Sequence, residues 1–192
     1  MITKLNNIST ITVGHLFRKG IEPDTNGKFS VIQMKDVDSS CRLIASDLVR
    51  VNLDSPPRPE IIINQGDILF KSRGQKNTAS LVDVPLENTV AASQFLVIRP
   101  EQSVLPEYLA WYLNQAPAQQ YFLQRAAGTS TPHLNKESLA DLEVVVPEMQ
   151  VQKNITRLVE MGLQESKLVE ALHQKRQLLL QKILVCYLNQ NK

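Results

Sequence analysis

The stretch LADLEVVVPEMQVQKNITRLVE, residues 139–160, changes its period halfway along. Its first half, LEVVV at 142–146, is aliphatic and β-branched and reads as a strand. Pro147 ends that strand, because proline has no N–H to give to a ladder. From about residue 148 to 189 no further proline occurs and Gly162 is the single glycine. Apolar side chains recur there at Ile155, Leu158, Val159, Leu163, Leu168, Val169, Leu172, Leu179, Leu180, Ile183, Leu184 and Leu188, close to spacings of three and four. The pattern predicts one long helical segment over 148–192. About 40 residues rising about 1.5 Å each make a helix about 60 Å long, about twice the width of a small domain. Such a helix cannot bury its whole stripe on its own domain. Either it folds back near Gly162 or it pairs with another helix in a coiled-coil arrangement. Glu165 and Arg176 stand where a strict heptad would carry leucine, so the stripe leaves the oligomeric state open.

Upstream the reading is of short strands. Segments 8–13, 30–34, 47–53, 60–63, 67–71, 79–84 and 93–98 are aliphatic or β-branched, with Asn, Gly, Asp or Pro between them. Nothing helical recurs between them, which favours a mixed or antiparallel sheet over a parallel one. After Pro100, Leu105, Tyr108, Leu109, Trp111, Tyr112 and Leu113 fall at helical spacing. Pro106 marks a helix start, and Pro117 splits the segment into two short helices. Residues 127–139 read as a polar loop. The expected fold class is α/β of the α+β kind: a sheet domain over 1–147 followed by the long helix over 148–192.

Composition bounds the function. The chain has 192 residues, 43% hydrophobic and 21% charged, with a formal net charge of +2. These are ordinary values for a globular protein, so a nucleic-acid role must rest on local clustering of charge. Two cysteines, Cys41 and Cys186, make neither a disulfide framework nor a metal site, and a reducing cytoplasmic setting is expected. The N-terminus has no signal-type apolar core, and no apolar run is long enough to span a bilayer, so no membrane is expected among the partners.

Catalytic patterns are missing. There is no Gly-rich phosphate loop, no His-Glu-x-x-His and no paired cysteine motif. His15, His133 and His173 lie far apart in different predicted elements, which disfavours a metal trio. SPPR at 55–58 partly resembles the Asn/Asp-Pro-Pro-aromatic loop of amino-methyltransferases, but Arg58 stands where an aromatic must stack on a flipped base. No cofactor is expected.

Two polar loops remain. GDILFKSRGQKN, residues 66–77, runs from an apolar strand into Lys71, Ser72, Arg73, Gly74, Gln75, Lys76 and Asn77, with no acid between Asp67 and Asp83. Gly74 permits a positive φ, and Arg and Gln can form paired hydrogen bonds to guanine and adenine edges. The second, QRAAGTSTPHLNK, lies between Glu107 and Glu137 with no acid in the interval. Its Arg125, Thr129, Ser130, Thr131, His133 and Lys136 supply donors suited to phosphates. Taken alone, either loop also fits a solvated surface connection. Arg18, Lys19 and Lys28 form a weaker third group.

The C-terminal half joins these pieces. Val146, Pro147, Gln152 and Ile155, the Gly-Asp-Ile-Leu of 66–69 and the Gly-Thr-Ser of 128–130 occur in an order that resembles the specificity (S) subunits of type I restriction-modification systems. The resemblance implies a non-catalytic target-recognition domain that binds double-stranded DNA and positions a DNA adenine methyltransferase subunit, with a translocating restriction subunit as a further partner. S subunits carry two recognition domains and two long helices; this sequence carries one of each, with no internal repeat, and so resembles a half-length form. Two copies pairing their helices through Ile155, Leu158, Leu172, Leu179 and Ile183 would restore the pair and read a bipartite, inverted-repeat target. On that reading Arg73 and Gln75 contact bases, while Lys71, Ser72, Lys76 and Asn77 hold phosphates or flanking bases. The competing expectations are a helical adaptor with no DNA role, a free-standing DNA- or RNA-binding protein, and, last, an enzyme.

Overall fold

The computed structural model describes residues 1–74, 76–126 and 133–190, and the chain divides into two compact units, Met1–Gln152 and Lys153–Lys192. Nine strands are assigned among the described residues of the first unit: β1 (Ile2–Lys4), β2 (Ser9–Val13), β3 (Phe29–Ile32), β4 (Val49–Val51), β5 (Ile68–Lys71), β6 (Ala79–Leu81), β7 (Thr89–Ala91), β8 (Phe95–Pro100) and β9 (Glu143–Val145). Three short helices, α1 (Pro106–Leu113), α2 (Ala116–Ala126) and α3 (Lys136–Ala140), separate β8 from β9, and α4 (Met149–Gln190) follows. The strands form sheets ordered β2-β8-β5-β6, β4-β3-β7 and β1-β9. All named pairs are antiparallel except β3 with β7. The architecture is therefore α+β with mixed sheets, as the strand pattern implies.

Both larger sheets bury aliphatic faces. Ile32, Ile63, Leu69, Val82, Phe95 and Val97 pack in one cluster, and Val31, Val51, Val90 and Ala92 in a second. Phe70 meets Phe122 of α2 edge to face at 4.9 Å, which joins the four-stranded sheet to the helices. Pro106 opens α1 where its missing N–H costs nothing. Asn114 then ends it: its amide nitrogen donates to Ala79 O (2.7 Å) and its oxygen accepts from Ala79 N (3.1 Å), so one side chain pairs with edge strand β6. Pro117 sits in the first turn of α2, so the expected split into two helices is present.

Several expectations change. The strand expected at 60–63 is a 3₁₀ turn, Pro59–Ile61, because Pro59 lacks a ladder donor; Ile62 makes only an isolated bridge to Val90. The segment read as a loop up to residue 139 contains α3, nucleated by Asn135, whose Oδ1 accepts from Ser138 N at 2.8 Å. β1 and β7 are additional strands. β1 exists through pairing with β9, in a register of Ile2 with Val145, which no local pattern displays.

Of the residues that carry the family resemblance, Val146, Pro147 and Gln152 lie at the start of α4. Gln152 is fully buried; its Oε1 accepts from Leu105 N (2.8 Å) and its Nε2 donates to Pro147 O (2.9 Å). A buried amide is tolerated because its groups are paired, and it ties the first turn of α4 to the first unit. α4 runs unbroken over its 42 residues, Met149–Gln190, without folding back at Gly162.

Candidate nucleic-acid interface

β5 delivers Lys71 to the end of the sheet, where Lys71 N donates to Thr78 O (2.8 Å) and closes the loop over 71–77. Ser72 clamps the stem: its N–H and its hydroxyl both donate to Gln94 O, at 3.0 and 2.8 Å. Asn77 turns inward and donates to Lys71 O (2.9 Å), while Gln119 of α2 donates to Asn77 O (2.8 Å). Ser72 is 1% exposed and Asn77 7%. Both are expected from the sequence to hold phosphates or flanking bases; here the Ser72 hydroxyl donates to Gln94 O and the Asn77 amide to Lys71 O, bonds that shape the loop. Arg73 and Lys76 stay exposed and Lys71 half-buried, with Gly74 at φ +112° making the turn between them. Gln75 lies outside the described residues.

The second segment reaches the same place from 60 residues away. His133 bridges Arg73 in antiparallel fashion, and Leu134 N donates to Ser72 O at 2.9 Å. Leu134 itself is buried, which anchors the segment. Across such a bridge the two Cα atoms lie about 5 Å apart. Lys136 opens α3 and is exposed, and Arg125, also exposed, lies 5.2 Å over the Tyr121 ring. Thr129, Ser130 and Thr131 lie outside the described residues. Among the described residues, no ion pair neutralises Lys71, Arg73, Lys76, Arg125 or Lys136.

Two further segments adjoin this edge. β2 and β5 both run antiparallel to β8, so both leave the sheet at the Phe95 end. Gly14 N donates to Phe95 O (3.0 Å), and a Cβ at Gly14 would fall 2.4 Å from Ala92 O, so only glycine fits. The chain then enters a cleft of about 760 Å³ lined by Arg18, Lys19 and Arg58 among others, with Glu22 and Asp54 also in its wall. Lys28 is not in that lining; its backbone N–H instead donates to Asn52 Oδ1. Sequence reasoning weighed Arg58 only as a missing aromatic and so overlooked this placement.

It also overlooked the turn at 38–42. The Asp38 carboxylate accepts from Ser40 N and Arg42 N, at 2.8 and 2.9 Å, and holds Cys41 at φ 60°. The Cys41 thiol is pushed up chiefly by burial, with Thr78, Lys71 and Lys76 acting in the opposite direction, so the turn lies near the 71–77 loop. The Asp-Ser-Ser sequence was the available signal, since such residues favour self-bonded turns.

No group of His, Cys, Asp and Glu among the described residues is arranged to hold a metal ion, and no described helix is long and apolar enough to cross a membrane. On α4, Leu158, Leu172, Leu179 and Ile183 are exposed and Ile155 is half-buried.

Comparison with known proteins adds to this geometry. The profile of the family described as "Type I restriction modification DNA specificity domain" matches residues 1–174. The HindI type I restriction enzyme specificity subunit of Haemophilus influenzae is 31% identical over 110 residues, which cover 55% of this chain and 24% of that one. A chain solved in a study of complex assembly and conformational transition of the type I R-M system superposes with a TM-score of 0.61 at 15% identity, over 86% of this chain and 38% of that one. The HsdS subunit of Thermoanaerobacter tengcongensis gives 0.59 at 16%, over 86% and 37%. The chain thus spans about a quarter of the curated relative and under two fifths of the solved chains.

Proposed function

Because the chain belongs to the family of type I restriction modification DNA specificity domains, we propose that it recognises a DNA sequence on behalf of a type I restriction-modification complex and carries out no chemistry itself. The observation that supports this reading is the backbone junction of Arg73 with His133, which joins two cation-bearing, acid-free segments into one surface. Arg73 and Gln75 read base edges, Lys71 and Lys76 hold phosphates, and Arg125, Thr129, Ser130, Thr131, His133 and Lys136 hold the flanking backbone. Ser72 and Asn77 keep the loop in shape. The partners are double-stranded DNA, a DNA adenine methyltransferase subunit that brings its own cofactor, and a translocating restriction subunit. A second copy pairs through Ile155, Leu158, Leu172, Leu179 and Ile183 of α4, so the assembled dimer reads a bipartite target.

Binding measurements across a panel of duplexes test the loop. Arg73→Ala loses about 1–3 kcal/mol on the best-bound sequence and relaxes discrimination there, whereas Lys76→Ala weakens all sequences alike and flattens the salt dependence by about one unit. Unchanged affinity and salt dependence in both variants would remove the loop from the interface. A protein that forms its oligomer yet ignores DNA at low salt would instead be the helical adaptor.

A further inference from the structure

The 71–77 loop is gripped from a helix that lies outside it. α1 ends at Leu113, and the Gln119 side chain of α2 reaches from that end to the loop: its Nε2 donates to Leu113 O and to Asn77 O, each at 2.8 Å. Both protons of one amide are thus committed to backbone carbonyls. Leu113 O is among the last carbonyls of α1, which have no partner inside their own helix. Asn77 O belongs to the loop that carries Arg73 and Lys76.

From Asn77 the bonds run on to the other end of the loop. Asn77 Nδ2 donates to Lys71 O at 2.9 Å and Lys71 N donates to Thr78 O at 2.8 Å, so the residue that Gln119 holds also ties the two stems together. The chain beyond α2 returns to the same loop, where Leu134 N donates to Ser72 O and His133 bridges Arg73. α2 itself is seated on the core. Ala118 and Phe122 flank Gln119 and are buried, and the Phe122 ring meets Phe70 of β5 at 4.9 Å. The Gln119 amide is therefore a point on a packed helix to which an exposed loop conforms.

DNA contacts differ in how much displacement they tolerate. Paired hydrogen bonds from arginine to a base edge need donor and acceptor near 2.9 Å with good alignment, whereas a lysine beside a phosphate acts as a point charge. Slack in the loop should therefore cost discrimination before it costs affinity. Resting on the reading of Arg73 given above, we propose that Gln119 is a positioning residue for recognition: it sets the conformation of the 71–77 loop, and so places Arg73 against base edges, without touching DNA.

Competition binding on the full chain tests it, with duplexes that the parent protein selects from a randomised pool set against scrambled duplexes of equal length. Gln119→Met keeps the length of the side chain and removes both donors. Discrimination between selected and scrambled duplexes should fall about tenfold, while affinity for the scrambled set and its salt dependence stay within about twofold of the parent. A general folding defect would weaken both sets in proportion, so an unchanged ratio overturns the positioning role even if the variant is less stable. In an Arg73→Ala background the same substitution should change the ratio by less than about twofold, because the two residues act as one unit. An equal fall in both backgrounds would show that Gln119 does not act through Arg73, and overturns the role as well. If Arg73→Ala relaxes discrimination and Gln119→Met does not, positioning fails and the reading loop stands. If neither relaxes it, or the parent selects no sequence from the pool, the recognition reading fails and the positioning role with it.

Discussion

Asp67 is 1% exposed, and its carboxylate accepts from Arg99 Nε and Nη2, at 2.8 and 2.7 Å, and from Asn64 N at 2.8 Å. Asp67→Ala strips three charge-assisted bonds from the base of β5 but leaves Arg99 about one-third exposed, so water recovers part of the loss. Chemical denaturation should report about 2–3 kcal/mol of destabilisation, and less than about 1 kcal/mol would mean the pair contributes little. Lys4 and Asp141 differ because both are exposed: their hydrogen bond of 2.7 Å holds the Asp141 carboxyl below the ordinary aspartate range and Lys4 above the ordinary lysine one. The stability this pair contributes is present at neutral pH, fades as pH falls through the lowered Asp141 value, and fades again as pH rises through the raised Lys4 value. A carbon-detected titration should show Asp141 titrating at lower pH than a free aspartate, and Lys4→Met should return it to the ordinary range. At this scale the sequence names the residues of the loop but not their directions. Lys71, Ser72, Arg73, Lys76 and Asn77 look alike as polar neighbours in a sequence; burial of Ser72 and Asn77 separates the clamps from the contacts, and burial depends on Gln94 and Gln119, far along the chain.

The elements show which features are local. Proline positions set the ends of β9, α1 and α2, and the 3.6-residue period sets α4, because both act through a residue's immediate neighbours. β1 and β7 depend on partners distant in sequence, β9 for the one and β3 for the other, so their own residues do not announce them. The candidate surface is of this second kind: it assembles where β2 and β5 leave the sheet on either side of β8, about 10 Å apart by strand spacing. A major groove is about 12 Å wide, so a loop reading bases from the end of β5 leaves the loop from β2 nearer a phosphate strand than the base edges. Arg18→Ala with Lys19→Ala should therefore reduce the slope of log affinity against log salt by about one to two units on any duplex. Lys28→Ala, outside the cleft, should leave that slope unchanged. Equal slopes in both variants would detach the β2 loop from the surface.

At the scale of the whole molecule, α4 exposes apolar side chains that a solitary helix has no reason to keep. Leu158 is 68% exposed, Leu172 49%, Leu179 59% and Ile183 46%, and burying each against a second copy contributes about 1.5–3 kcal/mol before the cost of association. The recognition domain precedes the helix in the chain, so the helix pairing proposed above would join two copies of that domain. In the dimer proposed above each domain would bind its own half-site, and once the first is bound the second would bind at an effective concentration set by the helical spacer. Leu172→Glu with Leu179→Glu places four carboxylates in the seam of a dimer and should give a monomer by light scattering at micromolar concentration. On a duplex carrying two inverted half-sites, that monomer should bind about a hundredfold more weakly than the parent, since it forfeits the linkage. On a duplex carrying one half-site the two proteins should bind within a few-fold of each other, because the 71–77 loop and its neighbours are untouched. A monomer that binds the two-site duplex as tightly as the parent would show that the seam contributes nothing to recognition.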